Sequence, residues 1–351
     1  MIDRWREFLE TEGLSAGPDG YSHTDTENVD AFQKLTGDTL CDLGHEAVVR
    51  ASGHDAHDFL QNQLTCDLRS LDAEQSVLGG YCDPKGRLIC VLRVSLDGDG
   101  LLLKLPLDLR DTVLERLRRY VLRAKVDFST DERTAFGMCG KTAARGLEGI
   151  CGPLPAGDSR VTHAGDLAVT RLGGDGRPRF EVTGPAESCI AAWSKLARHA
   201  TVVGSWTWAR LDILAGVPNI TPATSGSFIP QMVNLDLLGG VSFQKGCYPG
   251  QEIVARMHYL GNLKQRMTRF RIGDEDRPRP GDRVYTQGHP APTGTVVDAQ
   301  PGPGAGWDLL AVVRIADVGR HPLCLKSDRG PVLFEQELPY TVFEPNRVQS
   351  R

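Results

Sequence analysis

The chain has 351 residues, 40% of them hydrophobic and 24% charged, with a formal net charge of −5. That length exceeds one ordinary core, and the composition is that of a globular protein of two or three domains. The acidic balance excludes bulk-charge binding to nucleic acid, and no apolar run approaches the roughly 20 residues of a membrane span.

Residues 2–10 read as a short helix in an arm that ends at Gly17-Pro-Asp-Gly20. With three acids and no apolar segment, this terminus is expected to be neither a secretory signal nor a transit peptide. From Leu40 the pattern is strand-like, and Glu46-Ala-Val-Val-Arg50 leads to Gly53. Residues 54–63 then read as a helix with Ala56, Phe59, Leu60 and Leu64 on one side. Residues 88–96, a turn at Asp97-Gly-Asp-Gly100 and residues 101–105 make a hairpin. Thr112 can cap the next helix, whose buried stripe is Val113, Leu114, Leu117, Tyr120 and Val121. Its outer face, Arg116, Arg118, Arg119, Arg123 and Lys125, is the most basic surface in the sequence. This Arg116–Lys125 segment is a candidate contact for tRNA or for a protein.

Gly137-Met-Cys-Gly140-Lys141-Thr142 imitates a phosphate loop, but Ala135 stands where the first glycine belongs, so nucleotide hydrolysis is not expected. After a Gly/Pro-rich loop at 152–166 come strands near 167–172 and 180–182. A helix over 186–197 follows, with Ile190 and Trp193 inward. Residues 208–218 read as a helix and turn carrying Arg210. Beyond Gly261, short strands divided by Gly/Pro turns suggest a small antiparallel barrel.

Nine cysteines, odd in number and without a C-x-x-C pair, fit a reducing cytoplasm better than a disulfide framework. His54 and His57, with Cys41 and His45 upstream, lack the tight repeated pairs of a structural zinc site, and no metal is expected. Cys247 is different. It lies two residues after Lys245 and just ahead of a Pro249-Gly250 break, where Pro249 fits a first helical position. Ile253, Met257 and Leu260 recur on one helix face, and Glu252 and Arg256 are spaced to pair. A thiol near an ammonium and a helix N-terminus is favoured as thiolate.

The run Lys245-Gly246-Cys247-Tyr248-x-Gly250-Gln251-Glu252 resembles the K-G-C-Y-x-G-Q-E signature of the YgfZ family. These are folate-binding proteins similar to the T-protein, or aminomethyltransferase, of the glycine cleavage system. Residues 59–67 (with Gln61, Gln63, Thr65, Asp67), Cys82-Asp83-Pro-Lys85-Gly86 and residues 228–235 (with Pro230, Gln231, Asn234) agree, and the resemblance covers about residues 38–345. It implies an α+β, three-lobed aminomethyltransferase-like fold with a C-terminal antiparallel β-barrel. The expected division is an arm at 1–37, a folate-binding body of two interleaved subdomains at 38–264 and a barrel domain at 265–351. It also implies binding of tetrahydrofolate or a one-carbon derivative, support of iron–sulfur protein assembly or repair, and effects on tRNA thiomodification.

On that resemblance Cys247 and Lys245 are the candidate catalytic residues. Folate asks for a carboxylate or amide pair at the pterin, cations at its carboxylates and an aromatic or apolar wall. Tyr248, Gln251, Glu252, Arg256, Gln231, Arg210, Gln61, Thr65, Asp67 and Asp83 are the candidates, and the sequence leaves open which reach the ligand. The aminomethyltransferase carries K-G-G-I-[aliphatic]-D-D, whereas aligning Lys85-Gly86 here puts Cys90-Val91 at the acids. Losing that electrostatic partner disfavours the transfer reaction. Three readings stand: an accessory factor for iron–sulfur clients, a one-carbon transferase on an unknown acceptor, and a folate-sensing scaffold.

Overall fold

The computed structural model describes residues 2–24, 37–174, 176–273, 277–304 and 306–342. Residues 25–36 of the expected arm and 343–351 of the expected barrel domain lie outside them.

Apolar runs rich in Val, Ile and Leu build two sheets that face one another. The first is antiparallel and five-stranded, in the order Ser76–Cys82, Leu88–Asp97, Gly100–Pro106, Glu46–Ser52, Asp127–Thr130. The second runs Val161–Ala164, Leu167–Leu172, Arg179–Gly184, Thr134–Cys139, Thr39–Asp42, Thr201–Val203, and only its last pair is parallel. The third lobe is a closed six-stranded antiparallel barrel from Gln265–Gly273 to Val332–Gln336. This is the expected α+β architecture with its C-terminal barrel.

Period-two alternation lets the barrel serve two cores. Leu309, Ala311 and Val313 fill its interior, while Leu310 and Val312, with Met267 and Val297, join the core of the five-stranded lobe. The arm also packs rather than projecting. Trp5 and Leu9 of the helix Ile2–Thr11 are buried with Phe136 and Trp193, and Trp5 Nε1 donates to Asp42 at 2.9 Å.

Several local expectations are corrected by packing. The helix Arg110–Tyr120 starts two residues before Thr112 and has no side-chain cap. Tyr120, expected inside, is 47% exposed, because Val113, Leu114 and Leu117 already fill the contact with the sheet. Ile190 is only partly buried, and Cys189, Ala192, Trp193 and Leu196 form the inner stripe. Residues 54–63 keep a helix only over Ala56–Gln61.

Arg210, read from sequence as a possible carboxylate holder, has a partner within the protein. Its Nε donates to Asp308 Oδ2 at 2.7 Å, with both side chains buried, tying the helix Ser205–Leu214 to the barrel strand Gly306–Arg314. Removing one member of a buried ion pair strands the other charge and costs about 3–5 kcal/mol. Arg210→Ala is therefore expected to lower the unfolding free energy measured by urea titration by that amount, with Arg210→Met plus Asp308→Leu recovering most of it. A single variant as stable as wild type would show that the lobes do not depend on this pair.

Candidate functional site

The four sequence motifs converge on one knot around Lys245. Its side chain is buried and turns inward, donating to the backbone carbonyls of Gln61 (2.5 Å), Leu64 (2.7 Å) and Cys66 (2.6 Å). The Gln61 carbonyl ends the helix Ala56–Gln61 and the Leu64 and Cys66 carbonyls lie in the turn beyond it, and a tetrahedral ammonium satisfies all three at once. The Tyr248 ring lies 5.5 Å from the same nitrogen and is itself buried. Burial pulls Lys245 down to about 8, partly offset by Cys66 and Asp67.

The other motif residues brace this arrangement. Gln61 Nε2 donates to Asp67 Oδ1 (2.9 Å), and Gln61 Oε1 accepts from Leu68 N (2.8 Å). Thr65 Oγ1 donates to Gly240 O and accepts from Gly80 N. Gln231 Nε2 donates to the backbone carbonyl of Val254 at 2.7 Å, anchoring the helix Gln251–Tyr259 at its one buried residue. Asp83 accepts from Lys85 N and Arg87 N, shaping the hairpin tip. Gly250, at φ +79°, meets that tip backbone to backbone. A Cβ there would stand 2.4 Å from Gly86 Cα, so the motif glycine is required by contact and by conformation.

The result is an outward turn. All nine cysteines are among the described residues, and only Cys247 is exposed. Lys245 makes no hydrogen bond to it, since its three donors are occupied. The helix starts at Gln251, leaving Pro249 outside, and no ion pair joins the exposed Glu252 and Arg256. The apolar stripe read from the spacing is not the buried face of the helix: Ile253 and Leu260 are exposed, Met257 is half-buried, and Val254 alone is buried. Gln251 keeps only a long 3.5 Å contact to Lys245 O.

A separate cavity lies between the two sheets. Its walls include Tyr21, His45, Glu46, Val91, Arg93, Lys104, Glu181, Trp208, Asp212, Asn219 and Asp298. None of the ten residues assigned to folate from sequence, nor Cys247, lines it. Lys104 pairs with Glu46 at 2.6 Å and with Glu181, and Asp212 takes Arg179 at 2.8 Å. Tyr21 and His45 stack at 4.5 Å. His45 Nδ1 is buried without a hydrogen-bond partner, and burial drives its pKa down to about 3, so it is neutral. Burial lifts Asp298 to about 7 and Glu46 to about 7, the latter against the pull of Lys104. Arg93 donates to the Ser76 and Ser159 hydroxyls at 3.1 and 3.2 Å and pairs with no carboxylate among the described residues. The signal for this cavity was present in sequence as charges inside apolar strands: Arg93 in Val-Leu-Arg-Val, Lys104 in Leu-Leu-Lys-Leu and Glu181 in Phe-Glu-Val.

Among the described residues no helix is long and apolar enough to cross a membrane, and no cluster of metal-ligating side chains occurs. No protein-family model matches the chain. It is 34% identical over 311 residues to the tRNA-modifying protein YgfZ of Yersinia pseudotuberculosis, covering 87% of this chain and 93% of that one. The protein of the same name from Escherichia coli O157:H7 is 32% identical over 310 residues, covering 87% and 94%. In structure it resembles the glycine cleavage system aminomethyltransferase T from Bartonella henselae, with a TM-score of 0.71, 20% identity and 96% of each chain covered. The fold is thus that of the aminomethyltransferases. Within it, the chain belongs to the YgfZ family.

Two predictions follow from the geometry. Lys245→Met keeps the apolar stem but orphans three carbonyls, and is expected to destabilise by about 3 kcal/mol or more. Lys245→Arg should not rescue it, because a planar fork cannot meet a tripod. A urea midpoint at the wild-type value for Lys245→Met would refute the tripod. Asp298 has its folded pKa raised, so the native state binds more protons than the unfolded one between about pH 4 and 7. Stability should fall across that window by about 1.4 kcal/mol per pH unit from this group, and Asp298→Asn should flatten the slope.

Proposed function

We propose that the chain is a tetrahydrofolate-binding accessory factor for iron–sulfur proteins, acting in support of tRNA modification and working through the Cys247 thiol. The observation that carries this is a division of labour: a cavity at the lobe junction lined by charged and apolar side chains, and a single exposed thiol held by a knot elsewhere.

The cavity suits a folate. Glu181 and Asp298 offer acceptors to adjacent pterin N–H groups, and the unpartnered His45 Nδ1 offers a neutral third contact. Trp208 and the Tyr21–His45 stack supply the flat wall. Arg93 supplies a charge for a glutamyl carboxylate. Bound tetrahydrofolate, or a derivative, would supply a reduced pterin able to carry a one-carbon unit. The chain's own residues bind and orient it and exclude water. Val91 lines the cavity and Cys90 is sealed in the core, so the wall is aliphatic where the aminomethyltransferase has acids. That favours the accessory reading over one-carbon transfer.

The folate site proposed from structure therefore differs from the one proposed from sequence. Arg210, Gln61, Thr65, Asp67, Asp83 and Gln231 hold the framework, and Tyr248, Gln251, Glu252 and Arg256 belong to the thiol's surroundings. Calorimetric titration with tetrahydrofolate should show Glu181→Gln weakened about tenfold or more, with Cys247→Ser unchanged. In cells lacking the protein, Cys247→Ser should fail to restore iron–sulfur enzyme activity. Equal folate affinity in Glu181→Gln would sink the cavity assignment, and full rescue by Cys247→Ser would remove the thiol.

A further inference from the structure

The surface around the thiol carries features that neither the cavity nor the knot requires. Six large hydrophobic side chains are exposed among the described residues, and five of them, Tyr120, Leu122, Ile253, Tyr259 and Leu260, lie on two neighbouring segments. Patches of this kind mark interaction sites. The first segment, residues 116–125, holds five cations and no acid in a chain whose net charge is −5. The second is the helix Gln251–Tyr259, where His258 stacks on Phe243 at 3.7 Å and Tyr259 meets the same ring edge-on at 6.2 Å.

The two segments are tied to one framework. The helix Ala56–Gln61 bridges them: Lys125 N donates to Asp55 Oδ2 at 2.7 Å at one end, and Lys245 takes the Gln61 carbonyl at the other. A six-residue helix spans only about 9 Å. Val121 and Ala124 of the first segment and Val254 and Phe243 of the second pack on the same core. A Cβ on Gly86 would lie 3.1 Å from Ile253 Cβ, placing the hairpin tip with Lys85 and Arg87 beside the second helix.

We propose that this face docks an RNA stem-loop, its phosphates on Arg119, Arg123 and Lys125 and its unpaired bases on Tyr120 and the Phe243–His258–Tyr259 rings. Charge complementarity selects the occupant. A concentration of guanidinium groups beside flat rings matches phosphates alternating with bases, and base stacking on aromatic rings tolerates any sequence. Leu122 and Leu260 add apolar cover at the margin. Glu115 pairs with Arg119, but both are exposed, so phosphate can displace it at little cost. The inference deepens the tRNA-modification reading and is independent of the folate cavity.

The test uses the full chain and a fluorescein-labelled 17-nucleotide tRNA anticodon stem-loop, read by anisotropy at 50 and 200 mM salt. With three phosphate contacts at a slope near −0.7 each, affinity should fall about twenty-fold between those salts. Arg119→Glu with Arg123→Glu should weaken binding at least tenfold at 50 mM and reduce the salt exponent. Tyr259→Ala should weaken it about tenfold and leave the exponent unchanged. Tetrahydrofolate affinity should stay at the wild-type value in each variant, which checks folding and separates this face from the cavity. No binding at 50 mM, unaltered binding by the charge-reversed variant, or equal affinity for a blunt duplex of the same charge would overturn the proposal. An acidic protein partner would then be the occupant to seek.

Discussion

The architecture around the thiol depends on one buried ammonium. Lys245 reaches under its own turn to the carbonyls of Gln61, Leu64 and Cys66, more than 175 residues away in sequence. In doing so it ends a helix, fixes a loop of the five-stranded lobe and sets the direction in which Gly246 and Cys247 emerge. A lysine is suited to this because its three donors diverge from a point, whereas arginine presents a plane. Tyr248 covers the charge, and Gly250 lets the chain cross the hairpin tip at Gly86. The signature is thus a mechanical device whose output is an exposed sulfur on a rigid base.

The cavity obeys a different logic. Here charges are enclosed between sheets, and each must find a partner or change its protonation. Lys104 is held between Glu46 and Glu181. Asp298 and Glu46 instead move their pKa values toward neutrality. Arg93 keeps its charge facing the open space. On the proposed reading, the site takes a ligand with N–H donors at one end and anions at the other. Cys247 lies outside the cavity, and the two are connected by a shared framework. That framework is the five-stranded sheet, which carries Val91, Arg93 and Lys104 on the cavity side and Tyr81 and Cys82 beside the thiol turn.

The helix Gln251–Tyr259 shows how periodicity can mislead. Its apolar residues repeat with helical spacing, which normally signals a buried face. In the fold that face looks outward, because the helix is anchored instead by Val254 and by the Gln231 contact to its backbone. Tyr120 of the helix Arg110–Tyr120 behaves likewise. An apolar stripe left uncovered on two adjacent segments next to a basic run is better explained by a partner than by a core.

Sequence by itself determined the family, through the seven specified residues of the eight-position signature, and with it the α+β lobes and the C-terminal barrel. It also singled out Cys247, because local chemistry of charge, glycine and helix start is written in consecutive residues. What only the tertiary structure decided was the direction of each side chain. Lys245 could have faced the sulfur or the core, and Arg210 a ligand or Asp308. The choice turned on partners far away along the chain. The cavity residues escaped for the same reason. Glu46, Arg93, Lys104, Glu181, Asp212 and Asp298 sit on six separate segments, and their meeting is a property of how two sheets and a barrel pack, which no local pattern records.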